Sequence, residues 1–200
     1  THVFLLAGQS NMAGWSPFDG GAGYPAATLQ VGRSGVSWSS NADGALVPAV
    51  VPLDHWQHNT NTDMSLALQF TIDYVAANPG VTVVLVPAAM GGSGFGDNRW
   101  NPGDDLYTDA VARVNALMAA NPGFLFKGIL WHQGERDMNT EIATSATAYR
   151  AALDAMIVGM RTDIVAADAT TPFVLGQPLY SRFSAEPVFA EITNTPSTTA

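Results

Sequence analysis

Three short apolar runs, each broken off by a polar turn that carries glycine, constrain this chain more than any other feature. They are Val3–Ala7 before Gly8-Gln9-Ser10-Asn11, Val83–Val86 before Met90-Gly91-Gly92-Ser93, and Gly128–Trp131 before His132-Gln133-Gly134-Glu135. An unbroken apolar run of this length, bounded by turn residues, fits a strand buried on both faces, as in a parallel sheet covered by helices. Parallel strands present all their carboxyl ends at one edge, where open α/β sheets place their ligands. The three polar turns are therefore expected to meet.

Between the runs the spacing is helical. A helix is expected to start near Asp63 or Ser65, with Leu68, Ile72, Val75 and Ala76 on its apolar face and Asn78-Pro79-Gly80 as its stop. A second should be capped by Asp104 or Asp105, bury Leu106, Ala110, Val114, Leu117 and Met118, and stop at Asn121-Pro122-Gly123. A third carries Tyr149, Leu153, Met156, Ile157, Met160 and Ile164, and a strand over Pro172–Gly176 follows. Alternation of this kind predicts an α/β fold: a three-layer α/β/α sandwich on a mainly parallel sheet of about five strands. The long Gly/Pro/Ser/Asn-rich stretch from Trp15 to Thr62 reads as loop, with a piece such as Ala45–Val51 supplying an edge strand. No linker interrupts the 200 residues, so a single domain over 1–200 is expected.

Composition excludes several functions. The net charge of −9, with Lys127 as the single lysine, argues against a nucleic-acid partner and favours a neutral or weakly charged ligand. No apolar stretch reaches the roughly 18 residues that span a membrane. With no cysteine there is no thiolate site and no disulfide. His55 and His58, three apart in a loop without clustered carboxylates, are a weak metal signal, so no metal is expected. The acidic, lysine-poor make-up suits an extracellular or periplasmic protein.

Ser10 is the candidate nucleophile, since it follows a buried strand through a glycine that permits a sharp exit. The pattern is not the Gly-x-Ser-x-Gly elbow of α/β-hydrolases, because Met12 stands where that motif has its second glycine. Taken together, Gly8-Gln9-Ser10-Asn11-Met12-Ala13-Gly14, Gly91-Gly92-Ser93 and Trp131-His132-Gln133-Gly134-Glu135 resemble the blocks of the SGNH hydrolase superfamily. They look most like its carbohydrate acetylesterases, the sialate O-acetylesterase-like domain and carbohydrate esterase family six. The resemblance implies a flavodoxin-like SGNH fold and a serine esterase that removes O-acetyl groups from a carbohydrate through an acyl-enzyme, with no cofactor.

The same resemblance assigns roles. The backbone N–H of Ser10, that of a glycine in the pair (Gly92) and the side-chain amide of Gln133 would stabilise the oxyanion, and Glu135 would orient the catalytic histidine. Gln9, Asn11, Gly91, Trp100 and His55 are the candidate substrate contacts, and Asp137 reads as structural. Trp15 and Phe18 follow the serine turn, where an aromatic face can stack on a sugar. The superfamily's histidine belongs to a late Asp-x-x-His block. The histidines here are His2, His55, His58 and His132, so none follows residue 132. His132 lies inside the third block and reads as a structural imidazole. The chain is therefore expected to be C-terminally incomplete, with its base elsewhere. Two rival classes remain: a carbohydrate-binding module that keeps the fold without the base, and a scaffold domain of a larger assembly.

Overall fold

Side chains on β1 (His2–Gly8) alternate between two separate cores, and that alternation organises the whole molecule. The computed structural model describes residues 1–56, 63–138, 142 and 144–176. After β1 come a single helical turn α1 (Ser10–Ala13), β2 (Ser16–Pro17), β3 (Thr28–Val31), β4 (Leu46–Pro48) and β5 (Asp63–Met64). Then follow α2 (Ala67–Ala77), β6 (Val83–Pro87), α3 (Asp105–Ala120), β7 (Leu125–His132), α4 (Ala146–Asp163) and β8 (Phe173–Leu175).

Six strands form one sheet in the order β4-β3-β6-β1-β7-β8, while β2 and β5 make a small antiparallel ribbon. All pairings in the large sheet are parallel except β3 with β4, so five parallel strands carry one antiparallel edge strand. In chain order the parallel strands lie 2-3-1-4-5, a variation on the 2-1-3-4-5 order of flavodoxin itself. As its unbroken apolar run predicts, β1 is interior, flanked by β6 and β7.

Val3, Leu5 and Ala7 point to the face covered by α3 and α4, where they meet Val84, Val86, Ile129 and Trp131. Phe4 and Leu6 point to the other face, against Met12 and Ala13 of α1 and Ala67 of α2. Burying each large apolar side chain of this kind contributes about 1.5–3 kcal/mol. The predicted stripes of α3 and α4 are the buried ones, with Met118 packed at the margin. Ser145 caps α4 by accepting from the Ala148 N–H at 3.2 Å.

Two expectations need correction. The buried face of α2 is only partly the predicted one: Leu68 is buried and Val75 packs on the core as expected, but Ala67 and Thr71 are buried too, Phe70 and Tyr74 pack edge-on against Phe4 at 4.9 and 4.8 Å, and Ala76 is exposed. Two aromatic rings four residues apart outweigh the smaller Ile72 and Ala76 in setting the rotation of the helix. The long loop after β1 also holds more than an edge strand. Its Leu46–Pro48 is the edge, as Ala45–Val51 suggested, but Thr28–Val31 forms an interior strand between that edge and β6.

Candidate active site

The end of β1 is stitched to both neighbours. Gly8 has φ +126°, and a Cβ there would stand 2.2 Å from the His132 carbonyl oxygen. Its own carbonyl accepts from the Met90 N–H at 3.0 Å, and the next N–H, of Gln9, donates to the His132 carbonyl at 3.0 Å. The carboxyl ends of β6, β1 and β7 are thus held together by backbone alone. Ser10 opens α1, its carbonyl accepting from the Gly14 N–H at 2.8 Å. The residue is half-buried, and among the described residues its hydroxyl has no hydrogen-bond partner.

Side chains continue the stitching. Asn11 donates through Nδ2 to Glu135 Oε1 at 2.5 Å, which joins the serine turn to the third block across 124 residues. The other carboxylate oxygen of Glu135 is buried without a partner among the described residues. His132 Nδ1 lies 3.9 Å from Glu135 Oε1, an ion-pair distance when the imidazole is protonated. The His132 ring packs against Gly176, just after β8, and its Nδ1 is buried without a hydrogen-bond partner among the described residues. Glu135 therefore stands between the serine turn and the β8 side of the sheet edge.

Gln133 is almost fully buried. Its amide nitrogen donates to Asp137 Oδ2 at 2.6 Å and to the Ser93 carbonyl at 3.1 Å, with Gln9 Oε1 at 3.4 Å. The Tyr149 hydroxyl donates to the Gln133 carbonyl at 3.0 Å, and burial drives that phenol far above its ordinary pKa, so it stays a donor. In the second block, Gly92 is exposed at φ +67° and a Cβ on it would touch nothing. Glycine is needed there for its conformation, not for space. Ser93 is buried, donating to the Met90 carbonyl at 2.7 Å and accepting from Trp100 Nε1 at 2.8 Å.

With three strand ends joined around a serine, a glycine pair and a carboxylate, comparison with known proteins becomes decisive. The family model described as SASA, "Carbohydrate esterase, sialic acid-specific acetylesterase", matches residues 1–195. The chain belongs to this family. A protein of Escherichia coli (strain K12), the "Probable 9-O-acetyl-N-acetylneuraminic acid deacetylase", is 32% identical over 85 residues. That match takes in 34% of this chain and 26% of the relative, so the chain spans about a quarter of that relative's length. Among solved structures, NanS is similar with TM-score 0.80 and 21% identity, over 96% of this chain and 72% of its own. A protein from Arabidopsis thaliana gives 0.72 and 23%, over 96% and 78%. A carbohydrate acetylesterase from Xanthomonas citri gives 0.57 and 23%, over 88% and 40%. At these identities the structural likeness shows the fold.

Within this SASA domain several predicted contacts sit elsewhere than expected. Trp100, expected to touch substrate, is wholly buried, edge-on to Trp131 at 5.1 Å. His55, also expected at the substrate, is wholly buried and accepts from the Ala89 N–H through Nδ1 at 3.0 Å. Gln9 is an internal strut, its Oε1 accepting from the Arg136 N–H at 3.1 Å. Gln133, expected to donate to the oxyanion, has its amide donors engaged by Asp137 and the Ser93 carbonyl. Of the histidines, His2 is at the far end of β1 beside the Tyr74 hydroxyl, where burial and then Lys127 lower its pKa. His58 lies outside the described residues. Among the described residues no group of three or more His, Asp or Glu side chains is placed to hold a metal ion, and no helix is long and apolar enough to cross a membrane.

A groove of about 350 Å³ opens beside Asn11. Trp15, Phe18, Met64, Leu66, Leu68 and Ile72 supply its apolar wall, and Asp19 and Gln69 add polar groups. Trp15 and Leu66 are each about half exposed, so the groove offers an aromatic face to solvent one turn from Ser10. The small β2–β5 ribbon that builds this wall pairs only two residues on each strand, too short for any hydrophobic period to announce it.

Proposed function

We propose that this chain is the serine O-acetylesterase domain of a carbohydrate esterase. Ser10 Oγ attacks the acetyl carbonyl of an O-acetylated sugar, and a base takes the hydroxyl proton. The resulting oxyanion is met by the N–H groups of Ser10 and Gly92, and collapse expels the sugar hydroxyl, which regains the proton. Water then hydrolyses the acetyl-enzyme to acetate. Glu135 is the acid that orients the imidazole. The observation that carries this reading is the juncture itself: an unpartnered serine hydroxyl at the strand edge, with Asn11 beside it hydrogen-bonded to a carboxylate whose second oxygen is buried and unused. Membership of the family supports the acetyl ester as the bond broken.

His2 lies at the far end of β1 beside Tyr74 and His55 is bonded to the Ala89 N–H, so neither is assigned as the base. It falls to His132, whose buried Nδ1 has no hydrogen-bond partner among the described residues and lies 3.9 Å from Glu135, to His58, or to a histidine outside residues 1–200. A fluorophosphonate that phosphonylates active serines is expected to label Ser10 in the full natural chain, alongside acetate release from an acetylated sugar. A folded protein that binds sugar and leaves Ser10 unlabelled is a binding module, and the esterase reading fails. His58→Ala and His132→Ala in the same assay decide the base: an unaffected rate in both places it outside these 200 residues.

The groove beside Asn11 suits a pyranose ring, whose C–H face packs on an exposed indole. Among the described residues Asp19 is the one charged side chain in its wall, which fits a neutral or weakly charged sugar. An aromatic contact of this kind contributes about 1 kcal/mol. Trp15→Ala is therefore expected to raise KM roughly fivefold with kcat little changed, since the ring contact is made equally in ground and transition states. A kcat loss without a KM change would place Trp15 outside the binding surface.

A further inference from the structure

We infer that Asp137 is a positioning residue for the oxyanion donor Gly92, acting through the glycine loop of the second block. The inference rests on the esterase reading above. The Asp137 side chain is completely buried, and four donors converge on it. Oδ2 accepts from Gln133 Nε2 at 2.6 Å and the Phe95 N–H at 3.0 Å; Oδ1 accepts from the Gly96 N–H at 2.7 Å and the Thr144 hydroxyl at 3.1 Å. A carboxylate offers about four lone-pair sites and no donor, so its capacity is filled.

The purpose of this arrangement is read from what it holds. The Gln133 amide, fixed by Asp137, gives its other N–H to the Ser93 carbonyl. Ser93, Phe95 and Gly96 are thereby pinned to the third block by one carboxylate and one amide. On the other side, Met90 is pinned to β1 through its N–H on the Gly8 carbonyl. Gly92 stands between these anchors, exposed, with no neighbour near its Cβ position. Among the described residues none lies within 4 Å of the Gly92 Cβ position, so the direction of its N–H is set by the two flanks. Gly94 marks the closeness of the approach: a Cβ there would lie 2.4 Å from Asp137 Oδ2 and 3.1 Å from Gln133 Nε2. Its φ is outside the left-handed region, so glycine serves there to make room for the carboxylate.

An asparagine at 137 keeps the shape and loses an acceptor. Its NH₂ must then face either the Phe95 N–H or the Gly96 N–H, and backbone donors cannot flip to accept. The loop shifts, and a donor misplaced by even about an ångström costs on the order of 10²-fold in rate. The loss falls on the transition state, where the oxyanion exists.

The test uses the full natural chain and measures kcat, KM and amide hydrogen exchange for wild type, Asp137→Asn and Gly94→Ala, each well below its unfolding temperature. Gly94→Ala pushes a methyl against the same carboxylate from the loop side and reads the inference where Asp137→Asn fails to fold. Tyr107→Phe, which loses a 2.6 Å bond to Asp163 between α3 and α4, is the control for lost stability alone. The expected result is a kcat lower by about 10- to 100-fold at unchanged KM in both loop variants. Exchange at Phe95 and Gly96 should accelerate by about tenfold or more, while Tyr107→Phe keeps its kcat. A folded, exchange-accelerated variant with kcat within about twofold of wild type overturns the inference, as does an equal kcat loss in Tyr107→Phe. A wild type that is inactive with Ser10 unlabelled overturns the esterase reading, and this inference with it.

Discussion

On the proposed mechanism, Ser10→Ala is expected to lower the acetylesterase kcat/KM of the full natural chain by roughly 10⁴-fold or more and to leave the unfolding transition almost where it was. Both halves follow from the site. Ser10 is the nucleophile of the proposed acyl-enzyme route: the chain contains no cysteine, Ser93 is buried with its hydroxyl engaged by Met90 and Trp100, and Ser65 donates its hydroxyl to the Met12 carbonyl. The Ser10 hydroxyl holds nothing together, since no described residue bonds to it. Substitutions at such positions shift stability within about ±0.5 kcal/mol. Acetate release and a thermal unfolding scan on the same preparation check both. The backbone donors at the edge survive the substitution, so a residual rate of order 10³ over water is consistent with the reading. Near wild-type turnover of an aryl acetate by the alanine variant would transfer the chain to the binding-module class.

What was legible in the sequence, and what was not, divides along one physical line. Strands whose both faces are apolar announce themselves, and β1, β6 and β7 were readable together with the turns that end them. The interior strand β3 was not, because its polar residues Thr28 and Gln30 point inward. Gln30 is fully buried, its Oε1 accepting from the Asp54 N–H at 2.8 Å. A pattern rule that equates polar with exposed must read Thr28-Leu29-Gln30-Val31 as loop. The same blindness explains Trp100 and His55. A tryptophan or histidine in a loop looks like a surface group until its N–H or nitrogen lone pair finds a partner inside, and those partners, Ser93 Oγ and the Ala89 N–H, belong to other parts of the fold. Gln133 and Asp137 show the limit for the site. Their residue types suit oxyanion and structural roles equally well, and only the direction of one amide separates a donor to substrate from a strut for the glycine loop.

The second large effect belongs to Gly8, where the fold and the site meet in one Cα. Alanine there is expected to destabilise the protein by about 3–5 kcal/mol, a large part of the roughly 5–15 kcal/mol that holds a domain of this size. Two costs combine. At φ +126° an L-residue is strained by about 1–3 kcal/mol. The new methyl also stands 2.2 Å from the His132 carbonyl oxygen and 2.8 Å from its carbon. Those are backbone atoms inside a parallel ladder, with no rotamer to move away. Relief requires β1 to part from β7 at Gly8 and His132, which surrenders the Gln9 N–H bond to His132 and strains that of Met90 to Gly8, each bond contributing about 1 kcal/mol. Gly20→Ala separates the two costs, for Gly20 has φ +82° and nothing within 4 Å of its Cβ position. That variant should lose only the conformational part, about 1–2 kcal/mol. Urea unfolding of the two variants beside wild type measures the difference. If Gly8→Ala lies within about 1 kcal/mol of Gly20→Ala, the close approach of the two strand ends is not what fixes the serine turn, and the juncture on which the site depends must be held by other contacts.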